Sequence, residues 1–365
     1  MGVTRVSFKG NNDRNFVTEL KDEVNRYFEE NNISKNADYR MVIKTIILLS
    51  VYFGAYALII SGAFSWPVML VLCAVMGIGM AGIGFSVSHD ALHGAYSSNS
   101  TVNKLLGYTF DLLGANGYIW KITHNVVHHT YTNIHEHDED LEVAEFIRLS
   151  PHAEYKAIHK AQHYLAFLAY SLATLFWVFV KDYKHFLKEN LGPYENKNHP
   201  ASEWITLVVT KLIYYNYMLV IPYMVLPITW WQLLIGFVTL HLTAGVILGV
   251  IFQLAHVVEG TEHPTENTEG NIENTWFIHQ METTSDFAHG NDLLCWYIGG
   301  LNYQIEHHLF PKICSIHYPA IAPIVQKVAK KHDVPYHYQE TLLKAIRSHY
   351  RTLKKFGKSA EVSLA

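Results

Sequence analysis

Two long stretches of the chain contain no Asp, Glu, Lys or Arg: 45 residues from Thr45 to His89 and 47 residues from Leu212 to Val258. A membrane span takes about 20 apolar residues, so each stretch is long enough for two helices and too long for one. Each breaks near its middle, at S-G-A-F-S-W-P (residues 61–67) and at L-P-I-T-W-W (residues 226–231). Gly and Pro suit a tight turn there, and tryptophans suit the boundary between hydrocarbon and water. The pattern therefore predicts four transmembrane helices arranged as two hairpins, each entering and returning on the same side.

The rest of the chain is more polar. Between the hairpins, Leu105–Trp120 is interrupted by Asp111, and Leu165–Val180 is 16 residues long, so both are expected to be interfacial helices rather than spans. After Val258 the composition is that of a soluble region, with Lys-rich helical runs from Ile321 to Lys331 and from Leu342 to Lys358. The hairpin turns carry no Lys or Arg, whereas residues 1–44 carry eight, which by the positive-inside tendency places both termini and the middle segment in the cytosol. The start of the chain is polar and mixed in charge, unlike a secretory signal. Val6 stands where a myristoylation signal at Gly2 wants Ser or Thr. The expected architecture is an all-α integral membrane protein. It has a cytosolic N-terminal segment (1–44), a first transmembrane hairpin (45–89), cytosolic and interfacial helices (90–211), a second hairpin (212–258) and a cytosolic helical cap (259–365).

Composition changes this picture in one respect. Charged residues make up 16% of the chain against about 25% in ordinary globular proteins, as the hairpins require. A net charge of −4 gives no nucleic-acid footprint. Cys73, Cys295 and Cys314 form no C-x-x-C pair, which suits a reducing compartment. The unusual figure is 23 histidines.

Many of them fall where the hairpins return. The first hairpin ends in S-H-D-A-L-H, with His89 and His93 four apart and so on one helix face. W-K-I-T-H-N-V-V-H-H-T follows, with His124, His128 and His129, and N-Y-Q-I-E-H-H-L-F-P later supplies Gln304, His307 and His308. His256 ends the returning arm of the second hairpin as His89 ends that of the first, and an ionisable group at such depth is costly and marks function. His241 lies 15 residues earlier. At 1.5 Å per helical residue that is ~22 Å away, near the far face. Eight histidines and a glutamine from four segments exceed the four ligands of a tetrahedral ion and the six of an octahedral one, so a di-metal site held by the cap is expected. Imidazole suits iron, zinc, copper and nickel alike. No Glu-x-x-His occurs, which excludes the carboxylate-bridged bundles of ferritin type. The other histidines of the middle segment, including His135, His137, His152, His159, His163 and His185, read as solvated or interfacial.

As a set, the clusters resemble the histidine boxes of the membrane fatty-acid desaturase family: H-x-x-x-H, H-x-x-x-H-H and Q-x-x-H-H, in that order. H-H-T-Y-T-N at the second box and L-F-P after the third agree as well, and the resemblance covers roughly residues 40–330. Gln304, in place of the first histidine of the third box, resembles the front-end branch, whose members insert a double bond between an existing one and the carboxyl end. The resemblance implies two irons held by His89, His93, His124, His128, His129, His256, His307 and His308, with Gln304 ligating weakly or holding a water. It also implies dioxygen as co-substrate and a fatty acyl-CoA or acyl-lipid drawn from the bilayer. Asp90, Asn125, Asp138 and Asp140 are candidates to orient imidazoles.

Front-end members often carry a fused haem domain marked by His-Pro-Gly-Gly. His199-Pro200-Ala201 and His263-Pro264-Thr265 do not match it, so electrons are expected from a separate ferredoxin or cytochrome. A bacterial plasma membrane is the expected location. A lipid hydroxylase or ketolase would use the same site, but Gln304 and L-F-P favour desaturation. A histidine-rich metal transporter would hold its site near the bilayer midplane, whereas these histidines gather at span ends.

Overall fold

In the computed structural model, which describes residues 5–10, 14–142 and 144–358, the two charge-free stretches form the expected hairpins of helices. Residues 1–4, with the Gly2 position, and residues 359–365 of the C-terminal segment lie outside the described residues. The first helix, Tyr39–Ile60, is started by Asp38, whose carboxylate accepts from the Arg40 backbone N–H at 2.8 Å. After a turn through Gly62 at φ +66°, the second runs Trp66–Leu92 with Pro67 in its first turn, where no N–H is needed. Ala201–Val225 and Trp230–His256 make the other hairpin. The latter begins with a reciprocal cap, Gln232 Oε1 accepting from the Thr229 N–H at 2.9 Å while Thr229 Oγ1 accepts from the Gln232 N–H. The hairpins pack closely: a Cβ on Gly77 would sit 2.5 Å from the Leu240 carbonyl, a close approach of the kind that holds helices together where water supplies no driving force.

Both hairpins begin before the charge-free stretches do, at Tyr39 rather than 45 and at Ala201 rather than 212. Lys44 and Lys211 lie inside these helices and are buried, and Lys211 is neutralised by Asp182 at 2.7 Å. A charge marks the end of a span only when nothing within the protein pairs with it.

The larger difference concerns Leu165–Val180. It is not a separate short helix but the middle of a continuous helical run, Ala157–Leu187, long and apolar enough to cross a membrane. Among the described residues, five helices thus meet that criterion where four spans were expected. Near its start His159 Nε2 lies 3.0 Å from the Glu145 carbonyl, and just past its end Lys188 Nζ donates to Glu139 at 2.7 Å. Both ends are held by one short segment, residues 139–145.

The polar parts gather at the end of the bundle where the first hairpin returns. Arg14–Glu30 repeats Phe16, Leu20, Val24 and Phe28 every four residues, a single apolar stripe that packs on Ile321, Val325 and Val328 of Tyr318–Lys331. Leu342–Phe356 lies against the 157–187 and 230–256 helices. Two short parallel strand pairs add ties, with Ser7 opposite Asn271 and Ser285 opposite His337.

Candidate metal centre

Widened helical turns deliver the first two boxes. Gly84–Ser88 and Lys121–His128 are π-helical, a geometry that spaces hydrogen bonds five residues apart and recurs at functional sites. In the second, the closest imidazoles are therefore five apart: His124 Nε2 and His129 Nε2 are separated by 3.3 Å. The third box is one short helix, Gln304–Leu309, started where Asp286 Oδ1 accepts from the Ile305 N–H at 2.8 Å. His256 arrives at the last position of its long helix.

All eight histidines converge. Donor atoms of His89, His93, His124 and His307 lie within 4.8 Å of one another, as do those of His128, His256 and His308, and His129 joins His307 and His308 within the same limit. Gln304 is buried beside them and its Nε2 has no hydrogen-bond partner. His241 stands apart, bonded to Tyr214 and Thr174. His137, His159, His163 and His185, expected to be solvated or interfacial, are buried, which removes the solvated alternative for these four; His159, for instance, bonds the Glu145 carbonyl. None of the four joins the converging groups among the described residues.

Four of the outer ring nitrogens are held. His128 Nδ1 lies 3.0 Å from Asp138 Oδ2, His308 Nδ1 lies 2.7 Å from Gln280 Oε1, His307 Nδ1 lies 3.2 Å from Tyr318 Oη, and His256 Nδ1 lies 3.3 Å from the Thr283 carbonyl. With Nδ1–H donating outward, Nε2 is left as a lone pair pointing in. Burial, reinforced by neighbouring imidazoles, pushes His93, His124, His129, His307 and His308 well below the ordinary histidine pKa, so they are neutral, the form that ligates. His128 differs: burial opposes its charge, but Asp138 and Asp140 outweigh burial and hold its pKa above the usual value.

These residues fit a metal. The Nε2 atoms of His89, His93, His307 and His308 are buried without hydrogen-bond partners, and each such orphan costs about 1–3 kcal/mol if nothing else satisfies it. Two inward lone pairs 3.3 Å apart, on His124 and His129, repel unless a cation lies near both. The donor set is all imidazole with Gln304, and its division into groups suits two ions.

Of the suggested orienting residues, Asp138 touches an imidazole directly and Asp140 lies 3.8 Å from His124 Nδ1. Asn125 donates to the Leu92 carbonyl at 3.0 Å, tying the second box to the end of the first hairpin. Asp90 Oδ2 accepts from the Ser315 N–H at 3.0 Å and from its hydroxyl at 2.8 Å, tying the first box to the chain after the third. Gln280 and Asn133 were not anticipated. Asn133, at φ +61°, donates to the carbonyls of His256 (2.9 Å) and Glu262 (3.0 Å), so one amide links the second box to the fourth ligand segment. It is the last residue of H-H-T-Y-T-N, a signal that was available; Gln280 has no sequence signal.

The profile described as "Fatty acid desaturase" matches residues 64–340, a range that contains all four ligand-bearing segments. The chain belongs to the fatty acid desaturase family. It is 37% identical over 351 residues to the "sn-1 linoleoyl-lipid 6-desaturase" of Arthrospira platensis, covering 95% of this chain and 94% of that one. Identity to the protein of the same name from Synechocystis sp. is 36%, covering 98% and 100%. The "Acyl-lipid (8-3)-desaturase" of Physcomitrium patens is 33% identical, covering 94% of this chain and 72% of its own. The protein is thus a fatty acyl desaturase, an oxidoreductase of lipid metabolism built on membrane helices.

The carboxylate that orients His128 has a measurable share in the site. Replacing Asp138→Asn keeps the shape but removes the charge that His128 Nδ1–H donates to and turns one oxygen into a competing donor. Activity and metal affinity are expected to fall about 10–100-fold, the usual consequence of losing such a partner. Unchanged metal content and turnover in the purified variant would rule out this role.

Proposed function

We propose that this desaturase is a front-end acyl-lipid enzyme. It places a cis double bond between an existing one and the carboxyl end of a linoleoyl chain, using two irons held by His89, His93, His124 and His307 on one side and His128, His256 and His308 on the other, with His129 between them. One observation carries the reading: eight histidines converge at one site, with Gln304 buried on the same short helix as His307 and His308, in a chain 37% identical to a linoleoyl-lipid 6-desaturase over 95% of its length. Gln304 is the poorest donor of the set, so one ion has the weaker shell or keeps a water there.

When bound, iron supplies the redox chemistry with dioxygen that an unactivated methylene needs, since no side chain can take its hydrogen as a proton. The protein does the rest. Asp138, Gln280 and Tyr318 hold the imidazole rings with Nε2 inward. Trp120, stacked on His124 with ring centres 4.3 Å apart, and Phe252 beside it keep water from the acyl-facing side. The balance requires a donor: two hydrogens leave adjacent carbons, two further electrons and two protons enter, and dioxygen leaves as two waters. A separate ferredoxin or cytochrome supplies those electrons.

Two sets of contacts support a count of four crossings. Arg14–Glu30, before the first span, packs on Tyr318–Lys331, after the last, so the crossings between them are even in number. Ala157–Leu187, held at both ends by residues 139–145, is the helix that dips in without crossing. Four crossings, with the metal centre, the cap and both terminal segments cytosolic in a bacterial plasma membrane, fit the basic residues of the N-terminal segment.

The test is a fatty-acid profile, by gas chromatography and mass spectrometry, of a host making this chain and fed linoleate, with a His128→Ala strain beside it. The expected product is two mass units lighter, with the new bond on the carboxyl side of the existing pair, and absent in the variant. A bond on the methyl side overturns the front-end assignment, and a product sixteen units heavier would establish hydroxylation instead.

A further inference from the structure

The outer face of the helical run Ala157–Leu187 changes character along its length. Lys160 is exposed near its start, and Tyr164 follows one turn later. Leu168, Leu172 and Phe176 continue the same line at intervals of four residues, and all three are exposed as well. A row of apolar side chains on the outside of such a helix faces hydrocarbon. The tyrosine at its head marks the boundary with water, and the lysine before it stands at the level of the lipid head groups.

A second helix adds charge at that level. Leu342–Phe356 lies against the start of the run, with the Tyr350 ring 5.0 Å from that of His163 and 5.8 Å from that of Tyr164. Arg347, Tyr350 and Lys354 are spaced three and four apart, so both exposed cations share the edge that carries these ring contacts. The other edge of the helix is neutralised. There Lys344 pairs with Glu340, Arg351 pairs with Glu259 at 3.5 Å, and the Glu259 N–H donates to Ser348 Oγ at 2.8 Å. Glu262, Glu266, Glu269 and Glu273 follow in the same acidic segment. Lys160, Arg347 and Lys354 have no carboxylate partner among the described residues.

We propose that Lys160, Arg347 and Lys354 bind the head group of a resident anionic phospholipid, with Tyr164 and Tyr350 against its glycerol region and Leu168 along its chains. The site is separate from the desaturation reaction, and nothing in its recognition passes through the metal centre. Unpaired cations at the head of a lipid-facing stripe complement a negative head group, the charge that draws basic segments to a cytosolic leaflet. An acidic protein would be drawn to the same cations. It would have to sit on a surface bordered by hydrocarbon on one side and by the glutamates of residues 259–273 on the other, and like charges there oppose it. The lipid also steadies the fold near the ligands. On the buried side of the same helix, His349 Nδ1 lies 2.7 Å from the carbonyl of Val257, the residue after His256.

The experiment titrates the detergent-purified protein with dioleoyl phosphatidylglycerol, with dioleoyl phosphatidylcholine and with glycerol phosphate, and follows binding by native mass spectrometry. The wild type is expected to prefer phosphatidylglycerol, to bind it less tightly as salt rises, and to leave glycerol phosphate unbound. Arg347→Gln with Lys354→Gln, a double change confined to the surface, should weaken phosphatidylglycerol about 25-fold, roughly fivefold for each basic residue lost at an anionic surface. Lys160→Gln should weaken it roughly fivefold, and decides the matter if the double variant makes no protein. Lys327→Gln with Lys330→Gln, exposed on the helix Tyr318–Lys331, is the control and keeps wild-type affinity. Phosphatidylglycerol is also expected to raise the melting temperature of the wild type and not that of the double variant. Equal affinity for the two lipids, wild-type affinity in the double variant, equal melting shifts, or glycerol phosphate bound as tightly as the lipid overturns the inference. So does a double variant that keeps the lipid but loses binding to a plant-type ferredoxin, which would make these cations a docking face for an acidic electron donor.

Discussion

On the two-iron centre proposed above, alanine at His93 or at His308 is expected to lower the metal content of the purified protein from two irons per chain to about one and to abolish product. His93 belongs to the group with His89, His124 and His307, and His308 to the group with His128 and His256, so the two variants unseat different ions. Loss of a ligand costs more than loss of an orienting partner, which is itself worth about 10–100-fold. Neither variant should turn over, because the reaction needs both ions. His308→Ala also costs stability, since it strands the buried Gln280 Oε1 that its Nδ1 bonds at 2.7 Å. Metal analysis separates this from misfolding, with His241→Ala as the control: it removes a fully buried histidine outside both groups, and its metal content should match that of the wild type. Full metal content in His93→Ala would remove His93 from the ligand set.

The histidines that converge were legible in the sequence because each box is local and its spacing survives folding. The grouping was not. An α-helical count of four pairs His124 with His128, whereas the π-helical turn brings His124 Nε2 and His129 Nε2 together. That turn leaves no mark in the residue pattern. The hairpins were legible because long apolar runs exclude charge, but their limits were not, since Lys44 and Lys211 are hidden by packing and pairing that composition cannot register. Ala157–Leu187 was cut short for the same reason: Lys181 and Asp182 read as an end, yet Lys181 reaches Asp140 at 3.8 Å and Asp182 is fully buried against Lys211. The stripe of Phe16, Leu20, Val24 and Phe28 was visible in the sequence, while its partner, 300 residues further on, was not.

Lys211→Met is expected to be the most destabilising single change outside the metal centre, by roughly 3–5 kcal/mol, because it strands a buried carboxylate. Lys211 is 3% exposed, and its ammonium gives all three hydrogens to the protein: to Asp182 at 2.7 Å, to the Gly114 carbonyl at 2.6 Å and to the Val178 carbonyl at 3.1 Å. Asp182 has no exposure at all, and its second oxygen has no partner. Methionine matches the length of the lysine stem but leaves that charge and the Gly114 carbonyl without the ammonium, while the Val178 carbonyl keeps the Tyr215 hydroxyl at 3.0 Å. The double variant Lys211→Met with Asp182→Leu removes both charges and should recover most of the loss, since apolar replacements of a whole buried pair are often neutral. Thermal unfolding of the detergent-solubilised protein, followed by gel filtration, reads both steps. The pair also has a geometric consequence for the active site. It grips Gly114, whose φ of +88° turns the chain just before the second box and whose missing Cβ leaves room for the Tyr214 ring. Lys211→Met should therefore lose bound metal at temperatures where the wild type keeps it, and the double variant should keep more of it. If the single variant melts with the wild type, the pair contributes nothing to stability and the second box is held by its own segment alone.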